Sequence, residues 1–436
     1  MRRPTLGLVL ACALACASPP AVRTTLPALG EGDTDPAAGY EEPPLLRAQD
    51  LLPASLLRSE HHQVAPEVVS NGFIRRYRIE SQFGVFEAHG DEMLRERVGE
   101  IRALAALGEV SKSKEFARAM SQGLQVPFVA AWNLIRSPVD SISGLPAGAW
   151  GLVQRAADLA TSERGELEDN AFREFIGFEA KKREIAARLE VDPYSSNKVL
   201  QRELNRLAWV TYAGGLPFMQ LVPFQKVGAP QPPVLGPEGG DRLRDLLLHY
   251  SPEDLRRFNR IELAVMGVPP EERSAFLTHP WYSPRHATVL VEALANIDPA
   301  QDQATFLHLA RSARSEYDAF FFQRAAELLR AYHESAVPLG RFVAVAGVPA
   351  AHSAEGRLVV AADADYVVWT RPVERFAESI REELARDGRV VSAALLLSGG
   401  LSPRARTELE RRGIAVVERA LESLAPQPVA LSRGAP

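Results

Sequence analysis

"RLVVAADADYVVWTRPVERFAESIREELARDGRVVSAALLLSGG", residues 357–400, alternates two structural signals. Its ends, 357–369 and 389–400, are short β-branched and apolar runs bounded by polar or glycine residues, and they read as strands. Between them "VERFAESIREELARDG" (373–388) has helical spacing and stops at Gly388. Downstream, "SPRARTELERRG" (402–413) is a second helical stretch ending in glycine, and it leads into a third apolar run, "IAVVE" (414–418). Upstream, "RFVAVAGVPA" (341–350) supplies one more strand. Strand, helix, strand, helix, strand predicts a small α/β module with partly parallel strands over 340–425, followed by a tail at 426–436.

Working back along the chain, residues 241–339 read as helical. Ser251-Pro252 and Ser283-Pro284 each place a capping serine before a proline at the first helical position. "ARSEYDAFFFQRAAELLRAYHE" (313–334) closes the region, and its consecutive Phe320, Phe321 and Phe322 cannot all face one core, so one is expected to touch a neighbouring unit. The Pro/Gly-rich "VGAPQPPVLGPEGG" (227–240) reads as a linker.

Before it, residues 61–226 are expected to form a β-hairpin plus helical domain. Alternation at Phe73, Arg75, Tyr77 and Ile79, resumed at Phe83 and Val85, predicts a hairpin over 72–89. Gly90-Asp91 then opens a helix whose apolar stripe is Leu94, Val98, Ile101 and Ala105. The apolar stretch 124–160 is interrupted by Pro127, Pro138 and Pro146 and carries Trp132 and Trp150; a buried helical hairpin is expected there. Two further helices are expected near 169–190 and 196–213, with Ser195, Ser196 or Asn197 capping the second and Gly214-Gly215 ending it. The fold class is therefore α+β, mainly α-helical: an N-terminal β-hairpin, a multi-helix body and a small C-terminal α/β module.

Both cysteines of the 436-residue chain lie in "LGLVLACALACASPP" (6–20). Arg2 and Arg3 precede an apolar segment, Leu6 to Ala15, too short to span a bilayer, and small residues follow. With "ALA" directly before Cys16, the stretch resembles a bacterial lipoprotein signal, whose lipobox ends in a cysteine that is acylated through its thiol and becomes the first residue of the mature chain. The resemblance covers these first residues alone. It implies a signal peptide over 1–15, lipidation at Cys16, and attachment to the membrane through that lipid anchor. Cys16 lacks a leucine three positions before it; Cys12, preceded by Val9-Leu10-Ala11, is the alternative. Ala17, in place of Asp, implies export to the periplasmic face of the outer membrane. Residues 16–60, rich in Pro, Gly, Ala and acids, read as a disordered tether.

A formal net charge of -5 and a pI near 6.1 provide no basic field for nucleic acid, which excludes it as an expected partner. No metal-ligand spacing occurs among the nine histidines, and there is no phosphate-loop, dinucleotide or G-x-S-x-G motif, so no cofactor and no metal are expected. Two places remain as candidates for chemistry. Asp363 and Asp365 follow a strand, where carboxylates for a cation or a general base often sit, although a turn with solvated acids is the simpler reading. The turn Ser398–Ser402 offers backbone N–H groups to an anion at a helix start, although a plain Gly-rich β-α turn is simpler. The function expected is a lipid-anchored cell-envelope protein that binds or scaffolds an envelope protein partner. The alternatives are an enzyme built on Asp363, Asp365 and Ser398–Ser402, and a membrane-interacting protein acting through 124–160.

Overall fold

The computed structural model describes residues 39–123, 166–221, 250–386 and 391–424, with Leu243, Leu246 and Leu247 besides. The signal peptide 1–15, Cys16, the tether up to residue 38, the stretch 124–160, the linker 227–240 and the tail 426–436 lie outside the described residues.

Strands β4 (Arg75–Ser81) and β5 (Gly84–His89) form the predicted hairpin. Its two-residue turn pairs Ser81 with Gly84, which sets Phe86 opposite Ile79 and Ala88 opposite Tyr77. This register puts Val85 outward, 55% exposed, in place of the inward position that the alternation predicts. A one-residue difference in turn length is enough to exchange the faces. The hairpin belongs to a five-stranded sheet: β2 (His62–Val64) and β3 (Glu67–Ser70) pair with β4, and β1 (Leu46–Arg47) pairs with β3.

Residues 39–60 are not the tether that their composition predicts. They supply β1 and two short helices, α1 (Ala48–Leu51) and α2 (Ala54–Leu57), and Ala48 is fully buried. Tyr40 bonds Glu374, and Glu41 exchanges main-chain and side-chain bonds with Trp369. Composition averages over a window, whereas a few polar residues suffice to dock a segment onto a surface that the rest of the chain has already built.

Helix α3 (Asp91–Ser111) lies over this sheet, and its predicted stripe of Leu94, Val98, Ile101 and Ala105 is buried. Beyond Ala103 the same helix joins a second core with α4 (Lys114–Gly123), α5 (Glu166–Arg188), α6 (Lys198–Gly214) and α7 (Phe218–Leu221). Asn197 caps α6 by accepting the N–H groups of Val199 and Leu200, and Gly215 ends it at φ 65°.

The third core is the largest. It joins α8 (Pro252–Val265), α9 (Pro270–Leu277), α10 (Pro284–Ala295), α11 (Gln303–Ala310) and α12 (Glu316–Ser335) to the C-terminal sheet. Ser251 and Ser283 cap α8 and α10 as their sequences predict. In the sheet, β6 (Leu339–Val345), β7 (Val348–Ser353) and β8 (Arg357–Ala362) form an antiparallel meander, and β10 (Ser392–Leu397) and β12 (Ile414–Val417) continue it in parallel. The parallel neighbours are joined through α13 (Arg371–Arg386) and α14 (Pro403–Arg411), as crossovers require. A two-residue parallel pair, β9 (Tyr366–Val367) with β11 (Gly400–Leu401), lies past the ends of β8 and β10, and α15 (Ala420–Ser423) closes the described chain.

The expected boundary at 340 falls inside this core. One continuous cluster runs from Leu263 to Leu421, because α12 packs on β7, β8 and β10 as well as on α10. Phe321 and Phe322 lie in that cluster, whereas Phe320 lies in the core of the first sheet. The phenylalanine run is thus the place where one helix serves two cores.

Candidate functional site

Asp363 and Asp365 are partly buried and engaged within the chain, not solvated as the simpler reading of their turn expects. The Asp363 side chain is 11% exposed, with Arg324 Nε 3.9 Å away, and burial pushes its carboxyl above the usual range. Asp365 reaches across to the first sheet. Its two oxygens accept the backbone N–H of Arg75 and that of Asp91, each at 2.8 Å. The second bond caps the start of α3, whose N-cap residue, Gly90, has no side chain to do so. The main chain completes the seam: Asp365 N–H donates to Phe73 O and Val368 N–H to Gly72 O. Asp91 in turn accepts from Arg75 (2.7 Å) and from the Tyr77 hydroxyl (2.5 Å). Burial first, and the Asp91 charge second, push the Asp365 carboxyl up to about 8.

In the Ser398–Ser402 turn, the N–H groups from Gly399 to Ser402 are engaged within the chain. Those of Gly399, Gly400 and Ser402 donate to the carbonyls of Ala364, Asp365 and Val367, and that of Leu401 donates to Glu418. Ser402 caps α14 by accepting from Ala405 N–H, and its hydroxyl donates to Glu41 at 2.6 Å. A Cβ on Gly399 would lie 2.0 Å from Asp365 O, so close main-chain contact requires glycine there. The geometry makes this turn a β-α connection held by its neighbours.

A second group of ionisable residues, which sequence reasoning missed, lies where α3, the 190–192 loop, α10 and α12 converge. They surround a cavity of about 50 Å³ lined by Glu92, Glu96, Asp192, Arg285, Arg324 and Glu327 among others. Arg97 forks onto Glu100 (2.9 and 3.1 Å) and reaches Glu316 of α12 (2.6 Å). Glu100 also accepts from Ser195 and from Asn197 (2.9 Å), which ties the cap of α6 into the network. Arg285 of α10 bonds Glu96 (3.0 Å), and Arg324 bonds Glu327 (2.8 Å) within α12. Burial raises the Glu100, Asp192 and Glu327 carboxyls. Burial acts on Glu96 as well, but Arg285 and its neighbours outweigh it and hold that carboxyl low. The space suits a few water molecules or a small ion and is too small for an organic substrate. No three His, Cys, Asp or Glu side chains among the described residues form a metal-holding group. The sequence did carry a signal for this layer: Arg97 and Glu100 lie one turn apart within the apolar stripe of α3, as Arg324 and Glu327 do within α12.

Cys16, the expected lipidation residue, and Cys12 lie outside the described residues. No helix among the described residues is long and apolar enough to cross a membrane. No protein-family model matches the chain, and no curated protein or solved structure matches it.

Proposed function

We propose that the chain is a lipid-anchored cell-envelope protein, attached through Cys16 to the periplasmic face of the outer membrane, whose folded body binds or scaffolds an envelope protein rather than catalysing a reaction. The observation that carries this reading is the run ending in "ALAC" at residues 13–16, with no cysteine after it. Several acyl chains on one residue, at roughly 0.8 kcal/mol per buried CH₂, anchor a protein without a membrane-spanning helix. The binding role draws support from the use of the strand-end groups: Asp365 and the N–H groups from Gly399 to Ser402 are engaged within the chain. Those groups carried the catalytic alternative. The experiment is fractionation of cells expressing the wild type and Cys16→Ser, alone and combined with Cys12→Ser. The wild type is expected in the membrane fraction and Cys16→Ser in the soluble periplasm. Membrane association that survives both replacements contradicts the reading.

A further inference from the structure

The turn between α2 and β2 brings together a hydroxyl and an imidazole that no role above uses. Ser59 Oγ lies 2.7 Å from His62 Nδ1, and His62 Nε2 lies 2.9 Å from the carbonyl oxygen of Leu56. A carbonyl only accepts, so Nε2 carries the ring proton and Nδ1 presents its lone pair to the serine; this tautomer follows from the hydrogen-bond network. The Ser59 hydroxyl therefore donates to Nδ1. His61 N–H donates to the same oxygen at 3.1 Å and fixes its direction, while Ser59 N–H donates to His62 O and Arg58 pairs with Gln63 to hold the turn closed. His62 is 3% exposed, and burial, with Arg102 and His61 adding to it, keeps the imidazole in its neutral, basic form against the opposing bond from Leu56. Ser59 itself is half-buried.

We propose that Ser59 is an activated nucleophile, with His62 as its base and Leu56 O as the group that orients the base, and that it accepts acyl or phosphonyl groups from reactive esters. A hydroxyl within hydrogen-bond reach of a base that a third group holds in the right tautomer is the arrangement that nucleophilic serine chemistry needs. In the step, Ser59 Oγ forms a bond to the electrophilic carbon or phosphorus as the bond to the leaving group breaks. The hydroxyl proton passes to His62 Nδ1, and the leaving group departs with the bonding electron pair. The imidazolium keeps its Nε2–H on Leu56 O and then gives the Nδ1 proton to the leaving group or to solvent. This inference goes beyond the anchoring reading and does not depend on it.

The test uses the full chain in a non-ionic detergent, treated with a fluorophosphonate probe, with the labelled serine located by peptide mass spectrometry. The expected result is phosphonylation of Ser59, on the order of 10²-fold faster than in the same chain unfolded in urea, as general-base assistance implies. Ser59→Ala removes the label, and His62→Gln lowers the rate by a similar factor while circular dichroism shows the fold retained. Should His62→Gln not fold, the folded-to-unfolded rate ratio of the wild type decides the matter. Label absent from Ser59, equal rates in the folded and unfolded chains, or wild-type labelling of a folded His62→Gln protein each overturns the proposal.

Discussion

Removing the Asp365 carboxyl leaves the amides of Arg75 and Asp91 without acceptors in a partly buried seam. Asp365→Ala is therefore expected to lower stability by about 2–4 kcal/mol, measured by urea denaturation; a loss within ~0.5 kcal/mol contradicts a stapling role for Asp365. The pH dependence has a definite sign. A carboxyl whose folded pKa is raised to about 8 holds its proton more tightly in the folded chain than in the unfolded one. Its contribution is complete below the ordinary carboxylate range and is lost as pH rises through about 8. Relative to Asp365→Asn, the wild type should thus lose stability between roughly pH 5 and pH 8, with a slope no steeper than about 1.4 kcal/mol per unit. A flat difference across that range counts against it. Gly399 and Gly400 should also differ. Alanine at Gly399 drives a Cβ against main chain, whereas at Gly400 it meets the end of the Glu418 side chain, which can move. Thermal melts are expected to place Gly399→Ala clearly below Gly400→Ala, and equal melting temperatures would contradict the close approach.

At the scale of elements, Arg97 connects α3 to α12 and, through Glu100, to the cap of α6. Arg97→Ala leaves Glu100 without its buried counter-charge and should cost about 3–5 kcal/mol, whereas Arg97→Met combined with Glu100→Gln, which keeps an acceptor for Ser195 and Asn197, should recover much of that loss. Urea midpoints of the three proteins check this, and a double replacement no more stable than Arg97→Ala speaks against it. Such local rules were also the legible part of the sequence. Ser251, Ser283 and Ser402 cap the helices they precede, Gly215 ends α6, and the stripe of α3 is buried as its spacing predicts. Each of these depends on residues within a turn or two of one another. The inward face of β5 was not legible, because it depends on the length of a turn. The donors to Asp365 and the acceptors of the Gly399–Ser402 N–H groups were not legible either, because the partners are remote in sequence, as many as 290 residues away for Asp365.

At the scale of the whole molecule, the composition shift near 340 is a change of secondary structure inside one core, which local sequence cannot distinguish from a domain boundary. Helices α8 to α12 and the C-terminal sheet share the cluster from Leu263 to Leu421, so they should unfold together. Native-state hydrogen exchange is expected to give α12 and β8 the same opening free energy, and a sheet that opens well before α12 would separate them. Residues 46–57 should share the protection of the first sheet, since β1 pairs with β3 and Ala48 is buried beneath it. The proposed membrane attachment through Cys16 is the feature on which the cellular role depends. The most direct measurement is intact and peptide mass spectrometry of the protein extracted from membranes. A mature chain that begins at Cys16 and carries acyl chains on that residue is expected. An unacylated chain that begins at Ala17 or beyond, or one that retains residues 1–15, would contradict that attachment.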